Sequence, residues 1–90
     1  MGPEAREALL KKLRMRSWRR GMKEMDLILG PFADTALAEF GEDHLAEYER
    51  LLEENDQDLY LWVTGAQPAP DHLVSLLSKI ATAVGVARAH

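Results

Sequence analysis

SWRRGMKEMD, residues 17–26, decides how the first third of the chain is built. A glycine inside a helix costs about 0.5 to 1 kcal/mol relative to alanine, so a helix made only for packing has no use for Gly21. Two backbones satisfy the stretch. If the helix continues, Arg20 and Glu24 stand at i and i+4 on one face with Gly21 beside them. If it stops, the basic residues before Gly21 fill a last helical turn and the glycine is a cap.

Outward from this point, apolar residues recur at helical spacing and no stretch shows sustained strand-like alternation. The spacing predicts a first helix from about Pro3 to Arg19, with proline in its first turn and a stripe of Ala5, Leu9 and Leu13. A second helix carries Met22, Met25 and Leu29 on one face until Gly30-Pro31 interrupts it, and a short segment from Phe32 to Phe40 is closed by Gly41. A helix over about Asp43 to Glu54 turns Leu45, Tyr48, Leu51 and Leu52 inward. Asp56 is the expected N-cap of a short helix that buries Leu59, Trp62 and Val63 and ends at Gly65. After the loop AQPAP, Asp71 opens a last helix striped by Leu73, Leu76, Leu77, Ile80 and Val84. The expectation is an all-α, compact bundle of about five short helices. It forms a single domain over residues 1–90, with loose ends at about 1–4 and 87–90.

The 90 residues leave room for one small core. Cysteine is absent, which removes disulfides, zinc-thiolate sites and thiol catalysis. No apolar run approaches the roughly 20 residues of a membrane span, so no membrane insertion is expected. Charge is unevenly placed. Residues 1–30 hold eight Lys/Arg against four Asp/Glu, a balance of +4, and residues 31–90 hold three against eleven, a balance of −8. Such asymmetry suits a basic face for an acidic or anionic partner, although a solvated basic helix face is the more usual cause.

His44, His72 and His90 are far apart and match no metal motif, and no glycine loop suited to phosphates occurs. Catalytic, metal and tightly bound cofactor sites are therefore not expected. A helix, a break near Gly21 and a second helix superficially suit a DNA reader, but MKEMDLIL carries two acids and a row of apolar residues, and the domain is acidic overall. Nucleic acid is not an expected partner. What remains at Arg20, Gly21 and Glu24 is either a surface ion pair beside a helix-ending glycine or a contact patch, in which the missing side chain of Gly21 admits a partner's backbone while Arg20 and Glu24 supply polar anchors, and the residues alone leave both open.

RRGMKEMD resembles the Arg-Gly-x-x-Glu signature of the succinate dehydrogenase assembly factor (SdhE) family. Arg20, Gly21 and Glu24 fill the signature, and Trp18, Arg19, Met22 and Asp26 are similar to what members carry beside it. A second block, DQDLYLW at residues 56–62 after LLE at 51–53, also looks like the family's, so that the resemblance covers roughly residues 7–80. It implies a small five-helix protein, not an enzyme and expected to be monomeric. Such a protein would bind the flavoprotein subunit of succinate dehydrogenase, or of fumarate reductase, through these seven residues and promote covalent attachment of FAD there. Eukaryotic members carry a targeting presequence that is not seen here, so a bacterial cytoplasmic protein is expected, with the mitochondrial matrix as the location if a presequence has been removed. GVARAH, residues 85–90, matches no family pattern. A generic helical adaptor and, more remotely, a small DNA-binding domain are the other readings.

Overall fold

In the computed structural model, which describes residues 1–86, the chain forms five α-helices: α1 (Pro3–Trp18), α2 (Lys23–Ala36), α3 (Glu42–Leu51), α4 (Asp56–Val63) and α5 (Asp71–Val84). A 3-10 turn at Leu37–Glu39 follows α2 directly. The all-α expectation holds, and the end expected to be loose at 87–90 lies outside the described residues. At the other end α1 already begins at Pro3, and the Met1 amine pairs with Glu42 at 3.0 Å.

Three local readings are corrected. The buried side of α1 is Leu10, Leu13 and Ser17, with Leu9 half-buried and Ala5 exposed, so the stripe is rotated by about one residue from the one expected. Gly30-Pro31 does not interrupt the second helix: α2 runs through both. Proline there removes the bond to the carbonyl of residue i−4, Leu27, which lies on the solvent side where water can take its place. Burial of Ile28, Leu29, Phe32 and Ala33 on either side keeps the helix on the core. The segment expected from Phe32 to Phe40 is accordingly the end of α2 plus the 3-10 turn.

Leu13, Met25, Leu29, Leu37, Leu45, Leu51, Leu59, Leu77 and Ile80 form a single buried cluster around the Phe32 and Tyr48 rings, whose centroids lie 5.8 Å apart. Ser17 is the buried polar residue among them. Its one hydroxyl proton goes to the carbonyl of Leu13 at 2.7 Å, so in the 2.6 Å contact with Tyr48 the phenol is the donor.

Burial pushes the Tyr48 hydroxyl up to about 12, against an ordinary 10, outweighing the charges of Arg20 and Arg16. Because the folded value is raised, this group's stabilisation is complete below pH 10 and is lost as pH climbs towards 12. Tyr48→Phe is expected to cost about 1 kcal/mol at neutral pH through the lost hydrogen bond. It should also flatten the alkaline fall in stability by up to roughly 2 to 3 kcal/mol. Urea melts of both proteins between pH 8 and 12 check this; parallel curves would contradict it.

Candidate functional site

The four residues between α1 and α2 contain the signature's arginine and glycine. Gly21 has φ +92°, a left-handed backbone that residues with a β-carbon rarely adopt. The helix therefore stops, α1 and α2 form a hairpin, and Arg20 and Glu24 do not share a helix face. Asp26, one turn into α2, accepts the backbone N–H of Arg20 at 2.7 Å and ties the turn to the helix that follows it.

Arg20 turns away from Glu24 and into the junction of α3 and α4. Its Nε donates to the Asp56 carboxylate at 2.6 Å, one Nη to the carbonyl of Leu52 and the other to that of Glu54 at 2.7 Å. The carbonyls left open at the C-terminal end of α3 are thereby capped by a cation, which the helix dipole also favours. Only 10% of the Arg20 side chain and 18% of Asp56 remain exposed. Asp56 is free for this pairing because it is not the N-cap of α4, as the sequence had implied. That role falls to Asn55, whose side chain accepts the N–H of Gln57 at 2.8 Å.

Arg20, Gly21, Met22, Lys23 and Glu24 on one side, and Asn55, Asp56 and Gln57 on the other, line an open recess of about 590 Å³. No neighbouring atom lies within 4 Å of the position a β-carbon would take at Gly21, so the glycine presents bare backbone to this recess. Glu24 is exposed on its rim and Met22 is half-buried, packed on the core. Of the seven residues expected to meet a partner, Arg20, Gly21, Met22 and Glu24 thus come together here. Asp26 serves the turn from behind, and Arg19 is exposed as the residue that ends α1.

Trp18 lies elsewhere, flat across α2. Its indole covers Gly30, where a β-carbon would overlap the Cδ2, Cε2 and Cε3 atoms, and its Nε1 donates to Asp34 at 3.1 Å. Gly30, read from the sequence as a helix breaker, is a seat for this ring.

The sequence reading missed Lys23, Asn55, Asp56 and Gln57 as parts of the recess. Asn55 and Gln57 fall in or beside the DQDLYLW block, and that was the available signal. Among the described residues no group of three or more His, Cys, Asp or Glu side chains is placed to hold a metal. No helix among them is long and apolar enough to cross a membrane.

A family model described as flavinator of succinate dehydrogenase matches residues 11–84. The chain is 42% identical over 62 residues to the Aspergillus flavus protein named succinate dehydrogenase assembly factor 2, mitochondrial, covering 69% of this chain and 21% of that one. It is 38% identical over 68 residues to the Schizosaccharomyces pombe protein of the same name, covering 76% and 49%. It is also 41% identical over 69 residues to the FAD assembly factor SdhE of Idiomarina loihiensis, covering 76% and 77%. The chain therefore spans between a fifth and a half of the fungal relatives and about three quarters of the last.

Proposed function

The chain belongs to the flavinator of succinate dehydrogenase family, and on that premise we propose that it binds the immature flavoprotein subunit of succinate dehydrogenase and promotes covalent attachment of FAD to it. The observation that carries this reading is the pinned turn at Arg20-Gly21. Its left-handed glycine leaves a backbone surface open, while the Arg20 guanidinium and the Asp26 carboxylate hold that surface still. A rigid, solvent-facing turn loses little freedom on binding, which favours affinity. The flavoprotein of fumarate reductase is a second target.

The chain acts as a single helical domain and as a monomer, and it is a helper, not an enzyme. The flavin-protein bond forms within the flavoprotein, which holds both the cofactor and the side chain that reacts. FAD is not bound tightly by the helper itself. Gly21 and Glu24 meet the flavoprotein directly; Met22, Arg19 and Trp18 extend the contact; Arg20 and Asp26 keep the turn in shape. Such a protein promotes the reaction only by binding the reaction-competent conformation of its partner better than the others. It works where the subunit first meets FAD, in the bacterial cytoplasm, or in the matrix for a mitochondrial form.

Deleting the gene is expected to lower covalently bound flavin in the succinate dehydrogenase flavoprotein by tenfold or more. Flavin fluorescence of the denatured subunit in a gel reads this directly. An undiminished band would leave a generic helical adaptor as the better reading.

A further inference from the structure

Of the eight Lys/Arg in residues 1–30, three are used within the fold. Arg6 donates to the carbonyls of Ala38 and Phe40, Arg16 pairs with Glu53, and Arg20 pairs with Asp56. The other five, Lys11, Lys12, Arg14, Arg19 and Lys23, make no ion pair or hydrogen bond with any described residue. Arg14 even leaves its Nε buried without a partner among the described residues. The positive balance of the first thirty residues is thus unspent, and it lies on the outer side of the α1–α2 hairpin.

Those cations surround exposed apolar side chains. On α1, Met15 is 47% exposed and lies one turn before Trp18, which is 40% exposed; on α2, Leu27 is 55% exposed and one turn before Gly30, the seat of the indole. The indole is fixed in one orientation by Gly30 beneath it and Asp34 at its Nε1, and fixed aromatic side chains make strong anchors at interfaces. Lys23 and Leu27 stand at i and i+4 on α2, and Lys23 also lines the recess, so the apolar patch and the recess are continuous. The acids close by are Glu7, Glu24, Asp26 and Asp34, of which Asp26 is occupied by the Arg20 amide and Asp34 by the indole.

Resting on the function proposed above, we infer that the outer face of the α1–α2 hairpin is a second half of the flavoprotein interface. It receives an acidic segment of that subunit with an apolar residue seated on Trp18, Met15 and Leu27. Lys11, Lys12, Arg14 and Arg19 steer the acidic segment in. The recess then fixes the position of the hairpin on the flavoprotein, and the basic face supplies rate and selectivity.

The test is titration of the purified, FAD-free flavoprotein with wild-type protein and three variants, in low and in raised sodium chloride. Lys11→Glu with Arg19→Glu is expected to weaken binding tenfold or more, chiefly through slower association, and to remove most of the salt dependence. Leu27→Glu is expected to do the same through faster dissociation. Gly30→Ala should displace the indole, alter tryptophan fluorescence and weaken binding without touching any exposed platform residue. All residues changed in the first two variants are exposed, so unchanged melting temperatures are expected there and the test stands even if Gly30→Ala folds poorly. If wild type binds while these variants bind equally well, the second surface is refuted and the recess alone remains. If wild type does not bind the flavoprotein at all, the proposed function fails and this surface with it. Equal retention of a DNA oligonucleotide by the same face would overturn the acidic-protein assignment.

Discussion

Arg20→Ala is expected to destabilise the domain by about 3 kcal/mol, because breaking a largely buried ion pair strands the remaining charge and here also uncaps a helix. For a domain of this size that is a drop of roughly 12 to 24 °C in melting temperature. Had Arg20 faced Glu24 across an exposed helical turn, its removal would have cost only ~0.3 to 0.5 kcal/mol. The structure instead gives the guanidinium three partners, the carbonyls of Leu52 and Glu54 in the α3–α4 junction and Asp56 at the start of α4, which is only 18% exposed. Asp56→Ala should lower stability by a similar amount, and the double variant by much less than the sum. Glu24→Ala should leave the melt unchanged. Thermal melts of these four variants decide the matter: an Arg20→Ala protein melting within 2 °C of wild type would show that the clamp has no energetic weight. One consequence concerns function. Loss of activity in an Arg20 variant reports a collapsed turn as much as a lost contact, so Arg20 is a positioning residue, and the contact itself must be tested at Gly21 and Glu24.

Gly21→Arg is expected to abolish binding, a loss of a hundredfold or more, while the protein stays folded. Two effects add. At φ +92° any β-carbon is strained, so alanine alone should cost ~1 kcal/mol or somewhat more. Space is not the problem within the chain, since nothing lies within 4 Å of the added atom. A long side chain therefore projects into the recess and excludes whatever the partner places there. Gly21→Ala separates the effects: it carries the strain without the bulk and should bind within about tenfold of wild type. Circular dichroism and titration on the same preparations check the pair. If alanine and arginine impair binding equally, the backbone conformation matters and the open surface does not.

Leu45, Tyr48, Leu51 and Leu52, or Leu73, Leu76, Leu77 and Ile80, could be assigned to the core from the sequence because helical spacing puts them on one face without reference to the rest of the chain. The choice at Gly21 between continued helix and cap could be posed in the same way but not settled, since both are compatible with local propensity. What escaped was every device that joins distant parts. The bond from Arg20 to Asp56 spans 36 residues, and nothing local in either says that the other is its partner. The same holds for Trp18 on Gly30. A glycine beside a proline reads as a break, and only the position of α1 reveals that its missing side chain makes room for a ring. Aspartate at position 56 favours a cap, yet Asn55 beside it favours that role as strongly and leaves the Asp56 carboxylate free for the clamp. Four of the seven expected contact residues do meet in the recess, because the signature is a continuous stretch and a tight turn keeps its members together.

In the function proposed here, this small helical protein makes covalent flavin attachment happen on another chain by presenting the Gly21 turn to it. The most direct test is reconstitution from purified parts: FAD-free succinate dehydrogenase flavoprotein and FAD, with wild-type protein, with Gly21→Arg, or with neither, followed by denaturing gel and flavin fluorescence. Covalent flavin should accumulate at least tenfold faster with wild type than with no addition, and Gly21→Arg should match the reaction without addition. Equal rates in all three mixtures, with the wild-type protein shown to be folded, would rule out a helper role in flavin attachment.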